Sequence, residues 1–227
     1  GMAQQQQQRA RLRDQQMTMM CTLEELYVSG NDIGDEGAEQ IMSSLVKGKV
    51  PLKKLDLSNS AVSRAGIGSL CEYLSREDCG LEWLSLYMND VGVEGAVDLA
   101  EAIRKNASLE HLDIGGNNIG GEGVKQIAEA VKENAKITTL EMGYNPLSTE
   151  GATILAEQIK FDSKITTLRL GWCKLGADGG QAIADALEEG IEHLLRLGHD
   201  SFGLVEATRL RGAIASARGG GKGARKG

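Results

Sequence analysis

Apolar residues recur along this chain with two alternating periods. Short stretches such as Leu112-Asp113-Ile114 place them at every second position, the pattern of a strand with one buried face. The stretches that follow space them at i, i+3, i+4 and i+7. Ala96, Leu99, Ala100 and Ile103 do so in one copy and Val124, Ile127, Ala128 and Val131 in the next, the stripe of a helix buried along one side. Strand-like and helix-like segments take turns, and the unit restarts at Leu23, Leu52, Leu81, Leu109, Ile137 and Ile165, at spacings of 29, 29, 28, 28 and 28 residues. A seventh, degraded copy is expected after a register slip at Ile191, with Leu195, Leu197 and Phe202 in the places of Leu168, Leu170 and Leu175. Such a period predicts a stacked array in which each unit buries its neighbour's apolar face.

Each copy reads L-x-x-L-x-L-x-x-N-x-L, as in LEHLDIGGNNI from Leu109 to Ile119, then G-x-x-G and the helical stretch. The slot after the last strand-side apolar residue holds Gly34, Ser63, Gly92, Gly120, Ser148, Gly176 and Gly203. Only glycine and serine occur there, as expected of an N-cap. Two residues later come Glu36, Glu94, Glu122, Glu150 and Asp178, which complement the positive end of the helix dipole. Lys47, Arg104, Lys105, Lys132 and Lys160 fall near the helix ends, where cations are favoured.

On these residues the chain resembles the leucine-rich repeat family, in its long ribonuclease-inhibitor type, over roughly residues 22–217. The resemblance implies an α/β fold: a right-handed β/α solenoid, or horseshoe, of about seven repeats with a parallel concave sheet and convex helices. It also implies that the Asn slot bonds the backbone of the strand-to-helix turn. That slot holds Asn31, Ser60, Asn89, Asn117, Asn145, Cys173 and Asp200, and the turn geometry is expected to deviate at Ser60 and Asp200. Residues 1–21 form a glutamine-rich flank whose end, from Met17 to Cys21, is expected to cover the first repeat as a short helix. Residues 218–227 read as a disordered, basic, glycine-rich tail. The lack of an obvious polar cap after Val205, Leu210 and Ile214 suggests either self-association through the solenoid ends or a fragment of a larger repeat-containing sensor.

Composition refines this picture. Of 227 residues 30 are glycine, nearly twice the usual ~7%, while two prolines exclude a collagen-like or proline-rich chain. Four cysteines make no disulfide framework, no apolar run approaches the ~18 residues of a membrane span, and a reducing, cytoplasmic setting is expected. The net charge of −7 argues against a nucleic-acid partner. The flanks carry +2 and +4, leaving −13 on the repeats and pointing toward a partner with a basic surface.

Several motifs that look chemical read as repeat grammar. GNNIGGEG from Gly116 imitates a phosphate loop, but the other copies carry the same helix-start glycines. Cys71 sits in a helix slot filled elsewhere by alanine and is expected to be buried. Cys173 with His199 makes too small a ligand set for a metal. Asn106-Ala107-Ser108 is a formal glycosylation sequon. With no nucleophile, base and orienting residue at a defensible spacing, neither an enzyme nor a cofactor is expected.

The columns of residues facing the open side of the sheet are more informative. Strand side chains alternate, so the third, fifth and seventh positions of each copy should line the concave face, with the eighth at its rim. Both tryptophans and three of the four tyrosines fall there, and only Tyr73 lies on a helix. The candidate binding residues are Tyr27, Trp83, Tyr87, Met88, His111, Asp113, Glu141, Tyr144, Arg169 and Trp172. Trp83 is expected to stack with His111, Tyr144 with Trp172, and Glu141 to pair with Arg169 across strands. Gly115, Gly143, Gly171 and Gly198 should leave a trough floor without side chains. Tyrosine and tryptophan dominate binding hot spots, so the face is expected to dock a protein or peptide. An alternative is regulation of a small GTPase, because the activators of the Ran GTPase resemble this repeat class.

Overall fold

The computed structural model describes residues 21–159 and 164–188. Strands and helices alternate through these residues. They are β1 (Glu25–Tyr27), α1 (Gly34–Gly48), β2 (Lys54–Asp56), α2 (Arg64–Leu74), β3 (Trp83–Ser85), α3 (Gly92–Lys105), β4 (His111–Asp113), α4 (Gly120–Glu133), β5 (Thr139–Glu141), α5 (Ser148–Ile159), β6 (Thr167–Arg169) and α6 (Gly176–Glu188). The strands form one parallel sheet in sequence order, and every pairing keeps the same register, so Leu26, Leu55, Leu84, Leu112, Leu140 and Leu168 stand in one row. From Leu55 onward that row is fully buried. Six repeats are therefore described. The seventh copy, with Arg196, Gly198, His199, Asp200 and Gly203, lies outside the described residues, as do residues 1–20 of the N-terminal flank and the basic tail.

The helical stripes face the inner side of the sheet. Ala96, Leu99, Ala100 and Ile103 of α3 and Val124, Ile127, Ala128 and Val131 of α4 are buried, each large aliphatic side chain contributing ~1.5–3 kcal/mol. Close approach needs small residues where helices meet: a Cβ at Gly123 would lie 2.9 Å from that of Ala96. Packed helices sit ~8–10 Å apart and paired strands only ~4.8 Å, so the array curves with the sheet inside. The outer face of the sheet is thereby left as an open, concave surface.

The helix-start glycines correct the expectation of a simple N-cap. Ser63 does cap α2, its Oγ accepting the Ala65 N–H at 3.2 Å. Gly34, Gly92, Gly120 and Gly176 instead have φ of +64°, +68°, +60° and +66°, a left-handed turn that glycine makes without a Cβ clash. Glu36, Glu94, Glu122 and Glu150 stay exposed in the first turns, but Asp35 reaches across to the next repeat, accepting the N–H and the hydroxyl of Ser63, both at 2.7 Å.

Two asparagine ladders satisfy the turns. In the first, Asn117 donates to Leu86 O at 2.8 Å and Ile114 O at 3.1 Å, and the backbone N–H of Asn117 donates to Asn145 Oδ1 at 2.9 Å. Ser60 holds its rung by donating to Ser58 O at 3.1 Å, and the deviation expected in this turn is seen at Ser63, extended at φ −104° where four other repeats have a left-handed glycine. Cys173 takes the sixth rung, its S–H facing Met142 O at 3.4 Å. The second ladder, at the other edge of the array, is made by Asn106 and Asn134. Asn106 donates to Leu74 O at 2.8 Å and accepts the Leu109 N–H at 2.7 Å, while Asn134 donates to Ile103 O at 2.8 Å. Asn106 is 5% exposed with its amide nitrogen occupied, so the sequon is a structural rung rather than a glycan acceptor.

Candidate functional site

The open face is built from the side chains that the pleat turns away from the core. Two aromatic clusters form on it. Tyr27 on β1 leans over to Trp83 on β3, with ring centroids 6.2 Å apart, and Trp83 stacks on His111 of β4 at 5.2 Å and 25°. After the strands, Tyr87 meets Tyr144 edge to face at 6.0 Å, and Tyr144 stacks on Trp172 at 5.9 Å and 17°. Both stacks expected from the columns are present.

The trough differs from expectation on its β3–β4 side. A Cβ on Gly115 would lie 2.8 Å from Tyr87 Cδ2, and one on Gly116 would lie 2.5 Å from Met88 Sδ. Tyr87 and Met88 therefore lie across these glycines. A Cβ on Gly143 would sit 3.0 Å from the Gly171 carbonyl, so the glycine column exists because neighbouring turns approach closely.

Between the clusters runs a polar row. The Ser58 and Ser85 hydroxyls share a 2.7 Å hydrogen bond, Ser85 Oγ donates to Asp113 Oδ2 at 3.4 Å, and the Gly115 N–H donates to Asp113 Oδ1 at 2.9 Å. Glu141 pairs with Arg169 at 2.8 Å and stands 3.4 Å from His111 Nε2. Burial, with Arg169 nearby and despite Glu141, holds the His111 imidazole below its usual range, so the ion pair at Glu141 is the one with Arg169. Burial is also the main force on Asp113. It pushes the carboxyl up to about 6, reinforced by Glu141 and opposed by the Gly115 and Ser85 hydrogen bonds and by Arg169.

This shift gives a pH signature. The folded value lies above the ordinary carboxylate value of ~3.9, so the unfolded chain ionises first. Below about pH 4 the group is protonated in both states and imposes no penalty. Stability then falls as pH rises through the window up to about 6, above which the whole penalty is present. Asp113→Asn can still accept the Gly115 N–H, and is expected to gain about 1–2 kcal/mol in urea unfolding at pH 7.5. The gain should vanish by about pH 3, a unit below the unfolded value, and one that persists there would rule out ionisation as its cause.

The rim residues carry an unusual backbone. Met88, Tyr144 and Trp172 have φ of +55°, +58° and +59°, in a slot where the first and fourth repeats place Gly30 and Gly116 and the second places Asn59. They are also 42%, 45% and 53% exposed. Bulky side chains in the left-handed region cost ~1–2 kcal/mol each, and the stack of Tyr144 on Trp172 returns only ~0.5–1.5 kcal/mol.

The cysteines offer no reactive thiol in this region. Burial pushes both Cys71 and Cys173 up to about 12, against what a nucleophilic thiolate needs. His199, the other member of the Cys173 pair, lies outside the described residues. Among the described residues no group of three His, Cys, Asp or Glu side chains is placed to hold a metal. No helix among them is long and apolar enough to cross a membrane.

A parallel sheet backed on one side by helices, with its turns pinned by an asparagine ladder, defines a leucine-rich-repeat solenoid. Residues 20–42, 105–128, 133–156 and 162–184 match the family model described as Leucine Rich repeat. The matched segments are leucine-rich repeats, similar to those of the ribonuclease inhibitor. It is 35% identical over 83 residues to mouse (Mus musculus) NACHT, LRR and PYD domains-containing protein 9B, covering 37% of this chain and 8% of that protein. To the mouse ribonuclease inhibitor it is 33% identical over 84 residues, 37% of this chain and 18% of the inhibitor. The chain thus spans less than a fifth of the length of these relatives. Among solved structures, the actin-binding site 2 of leiomodin-1 superposes with a TM-score of 0.56 at 19% identity, covering 67% of this chain and 89% of that one. The C-terminal domain of Caenorhabditis elegans tropomodulin gives 0.52 at 17%, covering 69% and 95%. At these identities the two structures show the shared fold.

Proposed function

We propose that the chain is a non-enzymatic docking scaffold that takes a protein or peptide segment on its open sheet face. The observation that carries this reading is the rim of Met88, Tyr144 and Trp172, exposed and held at positive φ where glycine or asparagine would cost less. Local strain at these exposed residues is returned only in part by the Tyr144–Trp172 stack, whereas buried against a partner such residues supply hot-spot contacts. The leucine-rich repeat is a common protein-interaction scaffold, and the names of two similar proteins, an inhibitor of ribonuclease and an actin-binding site, are those of proteins that act by binding. Contacts within the face itself, such as Glu141 with Arg169, shape it without closing it.

The test is site-specific photocrosslinking in an extract. A benzophenone amino acid at Thr139, on the open face, is expected to trap a discrete partner, and the same group at Glu101, exposed on the helical side, to trap none. Equal adducts from both positions would overturn the assignment of the face.

A further inference from the structure

Among the described residues the polar row between the two aromatic clusters is short of positive charge. Along the fifth-position column the strands present Tyr27, Asp56, Ser85, Asp113, Glu141 and Arg169 in register. Glu25 pairs with Lys54 at 2.8 Å and Glu141 with Arg169, so both of these cations of the described face are already engaged. Among the described residues neither Asp56 nor Asp113 has an ion-pair partner. Asp56 accepts only the Ser58 N–H, at 2.9 Å, and Asp113 only the Gly115 N–H and the Ser85 hydroxyl. The surroundings of Asp113 add a second kind of complementarity. The stacked Trp83 and His111 stand on one side of it, and Tyr87, laid across Gly115, stands on the other with Tyr144 beyond.

We infer that the occupant of this face is a basic segment of a partner protein, and that an arginine or lysine side chain of that segment seats on Asp113 between the two aromatic clusters. An ammonium or guanidinium there would meet a carboxylate that has no ion-pair partner among the described residues, beside aromatic rings of the kind that attract cations. An acidic segment would be repelled by Asp56 and Asp113. A purely apolar one would leave a half-buried carboxylate with no counter-charge, a costly arrangement. The neighbouring charged and titratable groups are Glu141 and Arg169 from β5 and β6, His111 on the same strand, and Tyr87 after β3. None of them supplies a free cation, because Arg169 is engaged by Glu141 and His111 is held toward its neutral form.

This inference rests on the docking reading above, and its test separates the two. The probes are a fluorescein-labelled decapeptide of alternating arginine and leucine, and its counterpart with citrulline, a neutral isostere, in place of arginine. Binding is followed by anisotropy at about 0.1 M salt, where charges within ~10 Å still interact. The arginine peptide is expected to bind at least tenfold tighter than the citrulline peptide. Asp113→Asn should weaken it at least fivefold, and Glu36→Gln with Glu94→Gln, on the helical side, should leave it unchanged.

If Tyr144→Ala with Trp172→Ala weakens both peptides but arginine and citrulline bind alike, or Asp113→Asn has no effect, the face docks partners and the basic-segment inference is overturned. If the helical-side double variant loses as much affinity as Asp113→Asn, or the aromatic variant loses none, the open face itself is wrongly assigned. Failure of the arginine peptide to bind at about 1 mM also overturns the inference.

Discussion

Asn145→Ala is expected to cost about 3–5 kcal/mol in urea unfolding, the largest loss of any single polar substitution in the described repeats. The side chain is fully buried. Its amide donates to Ile114 O at 2.9 Å and Met142 O at 3.0 Å, and its Oδ1 accepts the backbone N–H groups of Asn117 at 2.9 Å and Ile119 at 3.4 Å. Alanine orphans the Asn117 and Ile119 N–H groups where water does not reach, and takes one donor from each carbonyl, leaving Ile114 O to the Asn117 amide and Met142 O to the Cys173 thiol. Each unsatisfied buried group costs ~1–3 kcal/mol, and partial relaxation keeps the total below their sum. Because the rung joins one repeat to the next, the damage falls on the interface between the β4 and β5 units, a nearest-neighbour term of the solenoid. Asn145→Cys supplies an internal comparison, since Cys173 fills the equivalent slot with long contacts of 3.4 and 3.5 Å. It should lose an intermediate amount. A loss of under ~1 kcal/mol for the alanine variant would show that the turns hold without the ladder.

The largest functional effect is expected from Tyr144→Ala combined with Trp172→Ala. Affinity for a partner captured at Thr139 should fall by tenfold to a hundredfold, about 1.4–2.8 kcal/mol. Stability should change little. The two rings stand outside the core, so the loss is limited to their stack, ~0.5–1.5 kcal/mol. Trp83 is a poorer choice, because it is half-buried between Tyr27 and His111 and its removal would disturb the sheet face as well. Calorimetric titration and thermal melts on the same samples separate the outcomes. Equal affinity with an unchanged melt would remove the rim from the binding surface, and a fall of affinity in step with stability would make the effect structural.

Much of this molecule was legible in the chain. The recurrence of leucines every 28 or 29 residues places all six described strands in one register, because each copy must bury the same face against the next. The two stacks followed from columns, since residues at equal positions of successive repeats become neighbours when the strands pair in parallel. The second asparagine ladder was harder to read. Asn106 and Asn134 recur 28 residues apart, but they follow helices, and in the sequence Asn106 reads only as part of a formal sequon. Their role depends on carbonyls of a different repeat, Leu74 O and Ile103 O.

The sequence by itself determined the repeat, the parallel order of the sheet and which residues share its open face, since periodicity alone sets those. Only the tertiary structure decided the conformation and charge state of that face. Tyr87 covers a glycine predicted to be bare, Met88, Tyr144 and Trp172 adopt left-handed backbone, and Asp113 has no counter-ion among the described residues while Arg169 goes to Glu141. These outcomes depend on rotamers, burial and competition between neighbours across strands, which sequence distance does not encode.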